Sequence, residues 1–165
     1  MINKDRVDYS FKTGRIVEDR WKSIYPESIK SSRKDDMEKH IDFYIGNKSV
    51  DVKGNNAPHQ IWLEIKNVRG DKGWIYGEAT HIAFDFPEMR GFVVLEREKL
   101  KDYIAANIEK EFASKSDCYK KLYNRRGRED IITCITITDL TSMPHSVVEY
   151  SRKYTHPASG DLISF

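Results

Sequence analysis

Two aspartates and a lysine alternate along a predicted β-hairpin. Two runs in which polar and apolar residues alternate are joined by Gly46-Asn47, a dipeptide favoured in two-residue hairpin turns. If these residues form the loop, Asp42 faces Asp51 across the strands, and Lys53 shares their side because paired residues lie on one face of a sheet. The hairpin therefore predicts an outward-facing polar side that carries two carboxylates and an amine.

These residue types are suited to metal-assisted hydrolysis of a phosphodiester. Directly opposed carboxylates destabilise a sheet, and at a surface their repulsion is on the order of a few kcal/mol. A divalent cation between Asp42 and Asp51 would offset it, since Mg²⁺ binds one or two carboxylates together with water and phosphate oxygens. The metal would polarise the phosphoryl group, and Lys53 would neutralise developing charge or orient the attacking water. A solvated polar face with two ordinary aspartates is the alternative interpretation.

The elements around the hairpin predict an α/β (α+β) fold, with a central mixed sheet that has an antiparallel hairpin core and is flanked by helices. A helix is expected from Ser10 to about Tyr25, followed by a charged segment over 26–39 in which residues 31–36 are expected to form an exposed loop. The hairpin itself spans 40–53. The remaining expected elements are a strand over 61–66, a hairpin of 81–86 and 91–95, helices over 97–112 and 115–123, a strand over 131–137 and a short helix within 144–154.

A third carboxylate falls on the same face if the strand over 61–66 pairs antiparallel with residues 49–53. In that arrangement Glu64 and Lys66 point to the side of the two aspartates. Two assignments of the catalytic element follow. Asp42 with Asp51-Val52-Lys53 is preferred because the hairpin register pairs the aspartates, and Glu64 would then be an auxiliary metal ligand with Lys66 as a phosphate contact. Asp51 with Glu64-Ile65-Lys66 is the competing assignment.

Composition is compatible with one soluble domain. The chain has 165 residues, of which 33% are charged and 39% hydrophobic, and a formal net charge of +2. Two cysteines without ligand spacing fit a reducing cytoplasm, and no stretch resembles a signal peptide or membrane span. We expect a single domain with a core of about 10–140 and a loosely structured tail of about 155–165.

Two basic segments are candidate contacts for a phosphate backbone, although each is also compatible with a solvated surface. A nucleotide-phosphate loop and a zinc ligand cluster are not evident, and a glycosidase would not need the lysine. The candidate basic residues are Arg33, Lys34, Arg125, Arg126 and Arg128.

The order of a helical Glu18, Asp42 on a strand and Asp51-Val52-Lys53 on the next resembles the PD-(D/E)xK nuclease superfamily. The resemblance covers about residues 14–66 and is greatest to Holliday junction resolvases and small phage endonucleases. The proline that gives the superfamily its name is missing at the first acidic position of this chain.

That resemblance implies a restriction-endonuclease-like fold and a metal-dependent deoxyribonuclease, expected to be an endonuclease. Asp42 and Asp51 would bind Mg²⁺, for which Mn²⁺ could substitute, Lys53 would act on the water or phosphate, and Glu18 would support the metal site. DNA would be the partner, and a homodimer would allow cleavage of two strands. A nuclease-like module that binds nucleic acid or protein without cutting, and a structural protein with an incidental acidic face, are the alternatives.

Overall fold

A computed structural model of the chain describes residues 4–54 and 56–150, with side chains from residue 12 onward. The elements in chain order are α1 (Lys4–Ile24), β1 (Ile29–Lys30), α2 (Arg33–Lys39), β2 (Phe43–Ile45), β3 (Lys48–Lys53), β4 (Ile61–Lys66), a 3₁₀ turn (Trp74–Tyr76), β5 (His81–Phe86), β6 (Gly91–Glu96), α3 (Arg97–Asn107), β7 (Ile131–Ile135), α4 (Ile137–Ser142) and β8 (Ser146–Glu149). The expected tail of about 155–165 lies outside the described residues. Within them, no helix combines the length and apolar character that crossing a membrane requires.

The strands of the described residues form two sheets, so the predicted α/β (α+β) class with a mixed sheet is confirmed. A six-stranded sheet has the order β1-β2-β3-β5-β6-β8, in which β3 and β5 are parallel and the other neighbours antiparallel. β4 and β7 form a separate antiparallel pair. The predicted pairing of β4 with residues 49–53 is therefore wrong. Alternation along a strand identifies its buried face but not its neighbour, and β5 takes the place beside β3.

The large sheet is covered on both sides. Helix α1 packs Val17 and Trp21 against Val50 and Val52 on one face, which is the apolar face that the hairpin pattern predicted. The opposite face packs against the β4–β7 pair and helices α3 and α4 through a larger apolar cluster. Its most deeply buried members include Ile61, Leu63, Ile82, Phe84, Leu95, Leu100, Ile135 and Leu140.

The hairpin turn is confirmed, whereas the start of its first strand is not. Ile45 pairs with Lys48, and Gly46 has a φ of +56°, a conformation that glycine adopts without steric cost. The first strand begins at Phe43 and not at residue 40, because His40 ends the preceding helix with a φ of +53°. His40 therefore does not pair with the second strand.

The exposed loop predicted over 31–36 is wrong, since α2 begins at Arg33 within it and β1 ends just before it. Ser32 caps α2 by accepting the Asp35 N–H at 3.1 Å, and Lys39 pairs with Asp35 at 2.8 Å one turn later. The helix is short and almost wholly polar, so it lacks the apolar periodicity on which helix prediction depends.

Several boundaries in the rest of the chain also differ from prediction. Helix α1 begins at Lys4 instead of Ser10, and α3 ends at Asn107 instead of 112. No helix forms over 115–123, because isolated bridges such as Tyr123 to Ile132 hold this segment against β7. Strand β7 ends at Ile135, since Thr136 and Asp139 form a capping box that starts α4. The described part of 144–154 contains strand β8 and not a helix.

Gly73 positions Trp74 against β4. A Cβ atom at Gly73 would lie 2.1 Å from the carbonyl oxygen of Glu64, so we expect Gly73→Ala to lower the free energy of unfolding by about 1–3 kcal/mol through overpacking. Gly14→Ala is the matched control, because its Cβ would meet nothing within 4 Å, and helix propensity favours alanine there by up to about 1 kcal/mol. Urea unfolding of both variants measures the two changes in the free energy of unfolding. Equal changes would contradict the expected clash between a Cβ atom at Gly73 and the Glu64 carbonyl oxygen.

Candidate functional site

Asp42 and Asp51 lie side by side, as the hairpin register predicts. Asp42 immediately precedes β2, whose first residue Phe43 pairs with Val50, and its Oδ2 accepts the Val52 N–H at 2.7 Å. Both aspartates are buried, with 8% of Asp42 and 1% of Asp51 exposed. The predicted outward-facing orientation is therefore wrong, because Arg97 at the start of α3 and Lys53, whose amine lies against the Trp74 ring, both contact Asp51.

Burial and the neighbouring charge raise the pKa of Asp42 from 3.8 to about 7. Loss of hydration is the larger cause, and repulsion from Asp51 is the second. The positive charges of Lys53 and Lys30 and the Val52 N–H act in the opposite direction without cancelling these effects. The repulsion expected from the sequence is therefore present and incompletely compensated.

Two cationic side chains contact Asp51. The Lys53 amine lies 2.7 Å from Oδ1, and Nη2 of Arg97 lies 3.2 Å from Oδ2. Lys53 is thus placed beside the carboxylates, as predicted, and a quarter of its side chain is exposed. Its amine also lies 4.8 Å from the ring centroid of Trp74.

Arg97 is a residue of this site that the sequence analysis did not identify. It begins α3, is 2% exposed, and donates through Nε to the Ala79 carbonyl at 2.7 Å and through Nη1 to the Trp74 carbonyl. Nη2 also reaches the carbonyl of His40 at 3.5 Å. An arginine at the start of an amphipathic helix is unremarkable locally, and the fold alone brings it to Asp51.

Glu18 and Lys30 extend the site on the side of α1. Lys30 on β1 lies 2.8 Å from Oε1 of Glu18 and 3.8 Å from Oδ1 of Asp42. The sequence analysis identified Glu18 and missed Lys30, which lies in the charged segment just before the predicted loop. The Lys30 amine thus lies between the carboxylates of Glu18 and Asp42, which shows that this position attracts positive charge.

Glu64 and Lys66 lie on β4, apart from the paired aspartates. Oε1 of Glu64 accepts the backbone N–H of Trp74 at 3.3 Å, and burial raises the pKa of Glu64 while the charge of Lys53 lowers it. Glu64 is thus a neighbour of Lys53 beside Trp74. Lys66 is exposed at the end of β4.

Among the described residues, no three His, Cys, Asp or Glu side chains form a group placed to hold a metal. The role of Glu64 as a third ligand stays a prediction.

The predicted phosphate contacts lie on two separate segments. Arg33 and Lys34 are exposed in the first turn of α2. Arg126 and Arg128 are exposed on the segment before β7, whereas Arg125 is half-buried because its Nε donates to the fully buried Asp130. A DNA contact by these residues stays a prediction.

Comparison with protein-family models, with curated proteins and with solved structures found no match to this chain. The function is therefore argued from the side chains themselves. Two buried carboxylates, one of them with a raised pKa, and an adjacent amine can bind a hard cation and a phosphate oxygen at the same point.

Proposed function

We propose that the chain is a Mg²⁺-dependent deoxyribonuclease of the PD-(D/E)xK type, with a restriction-endonuclease-like fold and endonuclease activity. One observation supports it above the others: Asp42 and Asp51 are buried side by side, and the pKa of Asp42 is raised to about 7 in part by the charge of Asp51. Burying two adjacent carboxylates costs stability, which is typical of a site retained for its chemistry.

The carboxylates fit a hard divalent cation. Oδ1 of Asp42 and Oδ1 of Asp51 are the candidate ligands, because Oδ2 of Asp42 accepts a backbone N–H and Oδ2 of Asp51 contacts the buried Arg97. The partly exposed Lys53 amine, which lies 2.7 Å from Oδ1 of Asp51, would have to move from that oxygen to make room for the cation. Mg²⁺ commonly uses one or two carboxylates and fills its remaining positions with water and phosphate oxygens, so two ligands are sufficient. Mn²⁺ is expected to substitute. When bound, the cation would stabilise charge on the phosphoryl group.

The chain's own groups have distinct roles in this proposal. Lys53 contacts the phosphate or the attacking water, since its amine lies beside Asp51 and its side chain is partly exposed. Arg97 is a positioning residue that fixes the Asp51 carboxylate from the buried side. Glu18 supports the site through Lys30, which contacts both Glu18 and Asp42.

The proposal predicts DNA cleavage that requires both the cation and Asp51. We expect nicking or cutting of plasmid DNA in Mg²⁺ or Mn²⁺, loss of cleavage in EDTA, and a rate reduced by at least about 10²–10³-fold in Asp51→Asn, the magnitude lost when one charge-stabilising group is removed. Asp102→Asn is the matched control, because Asp102 is exposed on α3. Cleavage by Asp51→Asn at the control rate would refute the assignment, provided circular dichroism shows both variants folded.

One observation favours a second candidate, a nuclease-like module that binds DNA without cutting it. Both carboxylate oxygens of Asp51 already contact cationic side chains, Lys53 and Arg97. If this ion network is purely structural, the protein will bind DNA in a gel-shift assay but neither cut it nor take up Mn²⁺.

A further inference from the structure

A cleft on the outer face of the β4–β7 pair extends to Trp74, the residue whose ring lies against the Lys53 amine. It has a volume of about 340 Å³, within the range of small-molecule sites, and is open to solvent. Its lining combines three half-buried aromatic rings with ionisable side chains and one aliphatic residue: Trp62, Trp74, Tyr123, Glu64, Lys115, Arg125 and Ile132.

The aromatic rings form flat walls. Trp62 projects from β4 beside Tyr123, with ring centroids 6.3 Å apart and planes inclined at 45°. Trp62 and Glu64 alternate with the buried Ile61 and Leu63, so they project away from the core. Rings that remain partly exposed around a cleft of this size are available for stacking on a planar ligand.

The charges around the rings are those that a nucleotide needs. The exposed Lys115 supplies positive charge to the lining, Arg125 contributes a guanidinium whose Nε is already paired with the buried Asp130, and Glu64 supplies a carboxylate. Glu64 uses Oε1 to accept the Trp74 N–H, which leaves Oε2 without a hydrogen-bond partner among the described residues. A carboxylate oxygen accepts hydrogen bonds from the amino group of a base such as cytosine, whereas thymine presents a carbonyl at that position.

Trp74 connects the cleft to the paired aspartates. Its ring lines the cleft and also lies under the Lys53 amine, which contacts Asp51. A strand whose phosphate lies at Lys53 would therefore have an adjacent base close to the rings. A base that is still paired and stacked in a duplex has no exposed face to offer, so the base in the cleft must be unpaired.

We propose that this cleft, lined by Trp62, Trp74 and Tyr123, binds one unpaired base of a single-stranded or locally melted DNA strand, with a preference for a base that carries an exocyclic amino group. The inference rests on the proposed function and names its substrate class: a strand with an unpaired base at the cleavage site. Stacking on Trp62 supplies affinity, and Glu64 supplies the preference.

Binding to short oligonucleotides in EDTA tests the cleft without requiring cleavage. By fluorescence anisotropy, we expect oligodeoxycytidine to bind more tightly than oligodeoxythymidine or a duplex of the same length. Trp62→Ala should weaken binding about 5- to 150-fold, the effect of losing one base–aromatic stack. Trp62→Phe should retain most of it, and Glu64→Gln should shift the cytidine-to-thymidine ratio toward one. Phe112→Ala is the control, because Phe112 is 57% exposed and does not line the cleft.

The outcomes separate this inference from the proposed function. Binding of oligodeoxycytidine by Trp62→Ala as tight as by Phe112→Ala and the unaltered protein would overturn the cleft even if DNA is cleaved. Duplex bound as tightly as single strands by the unaltered protein would overturn it as well. Loss of binding in Trp62→Ala alone would support the cleft even if no cleavage is observed. Quenching of tryptophan fluorescence in the unaltered protein by oligodeoxycytidine provides a check that does not depend on a variant's folding, and absence of quenching would count against stacking.

Discussion

Asp42→Asn is expected to stabilise the metal-free protein at pH 8, by up to about 4 kcal/mol, and to abolish Mg²⁺-dependent DNA cleavage. The gain follows from the pKa of Asp42, since the interval between 3.8 and about 7 corresponds to about 4 kcal/mol at 1.36 kcal/mol per pKa unit. An asparagine amide is nearly the same size and can still accept the Val52 N–H through its oxygen. The loss of cleavage follows because the amide carries no charge to hold the cation.

The pH dependence of this gain has a definite sign. A carboxylate with a raised pKa in the folded state destabilises the fold when both folded and unfolded states are ionised, above about pH 7. The penalty declines as pH falls from about 7 to about 4 and is absent below the unfolded pKa. Urea unfolding in EDTA should therefore show the advantage of Asp42→Asn at pH 8 and not at pH 3.5.

Asp102→Asn is again the control, and an exposed substitution of this kind should change the free energy of unfolding by no more than about 0.5 kcal/mol. A stability gain without loss of cleavage would show that Asp42 is strained but does not bind the cation. A loss of stability comparable to other buried substitutions would show that the charge of Asp42 is well compensated, contrary to the structure.

Arg97→Met is expected to lower the free energy of unfolding by about 3–5 kcal/mol. The substitution removes the cation from a buried ion pair and leaves Asp51 with less compensation for its burial. It also removes hydrogen bonds to the carbonyls of Ala79, Trp74 and His40, which tie α3 to the segments around the site. The measurement is urea unfolding at pH 7.5, where Asp51→Asn in the same chain should recover part of the loss.

Lys101→Met provides the matched comparison within the same helix. Lys101 forms an exposed pair with Glu98 at 2.9 Å, and such surface pairs contribute about 0–1 kcal/mol. If Arg97→Met costs no more than Lys101→Met, Arg97 does not anchor the site and its contacts with Asp51 are incidental.

The local part of the site was predictable from the sequence. Turn chemistry at Gly46-Asn47 fixed the hairpin register, and alternation on either side separated the apolar face from the face with Asp42, Asp51 and Lys53. Both signals act over a few residues, so no knowledge of the rest of the chain was needed.

The partners of that local site were not predictable, because they depend on contacts between distant segments. Arg97 reaches Asp51 across 46 positions of sequence, and β5 rather than β4 pairs with β3. Alternation in β4 showed that Glu64 and Trp62 share a face, but not that β7 would be the neighbouring strand. Lys30 was missed because a two-residue strand in a charged segment carries no periodic signal.

Mn²⁺ binding measured by isothermal titration calorimetry at pH 8 tests the central claim most directly, because it does not depend on the DNA substrate. The account predicts that the unaltered chain binds one Mn²⁺, that Asp102→Asn binds it equally, and that Asp42→Asn, although more stable, binds none. Equal Mn²⁺ binding by all three proteins, or binding by none of them while each is folded, would contradict the assignment of Asp42 and Asp51 as the cation site.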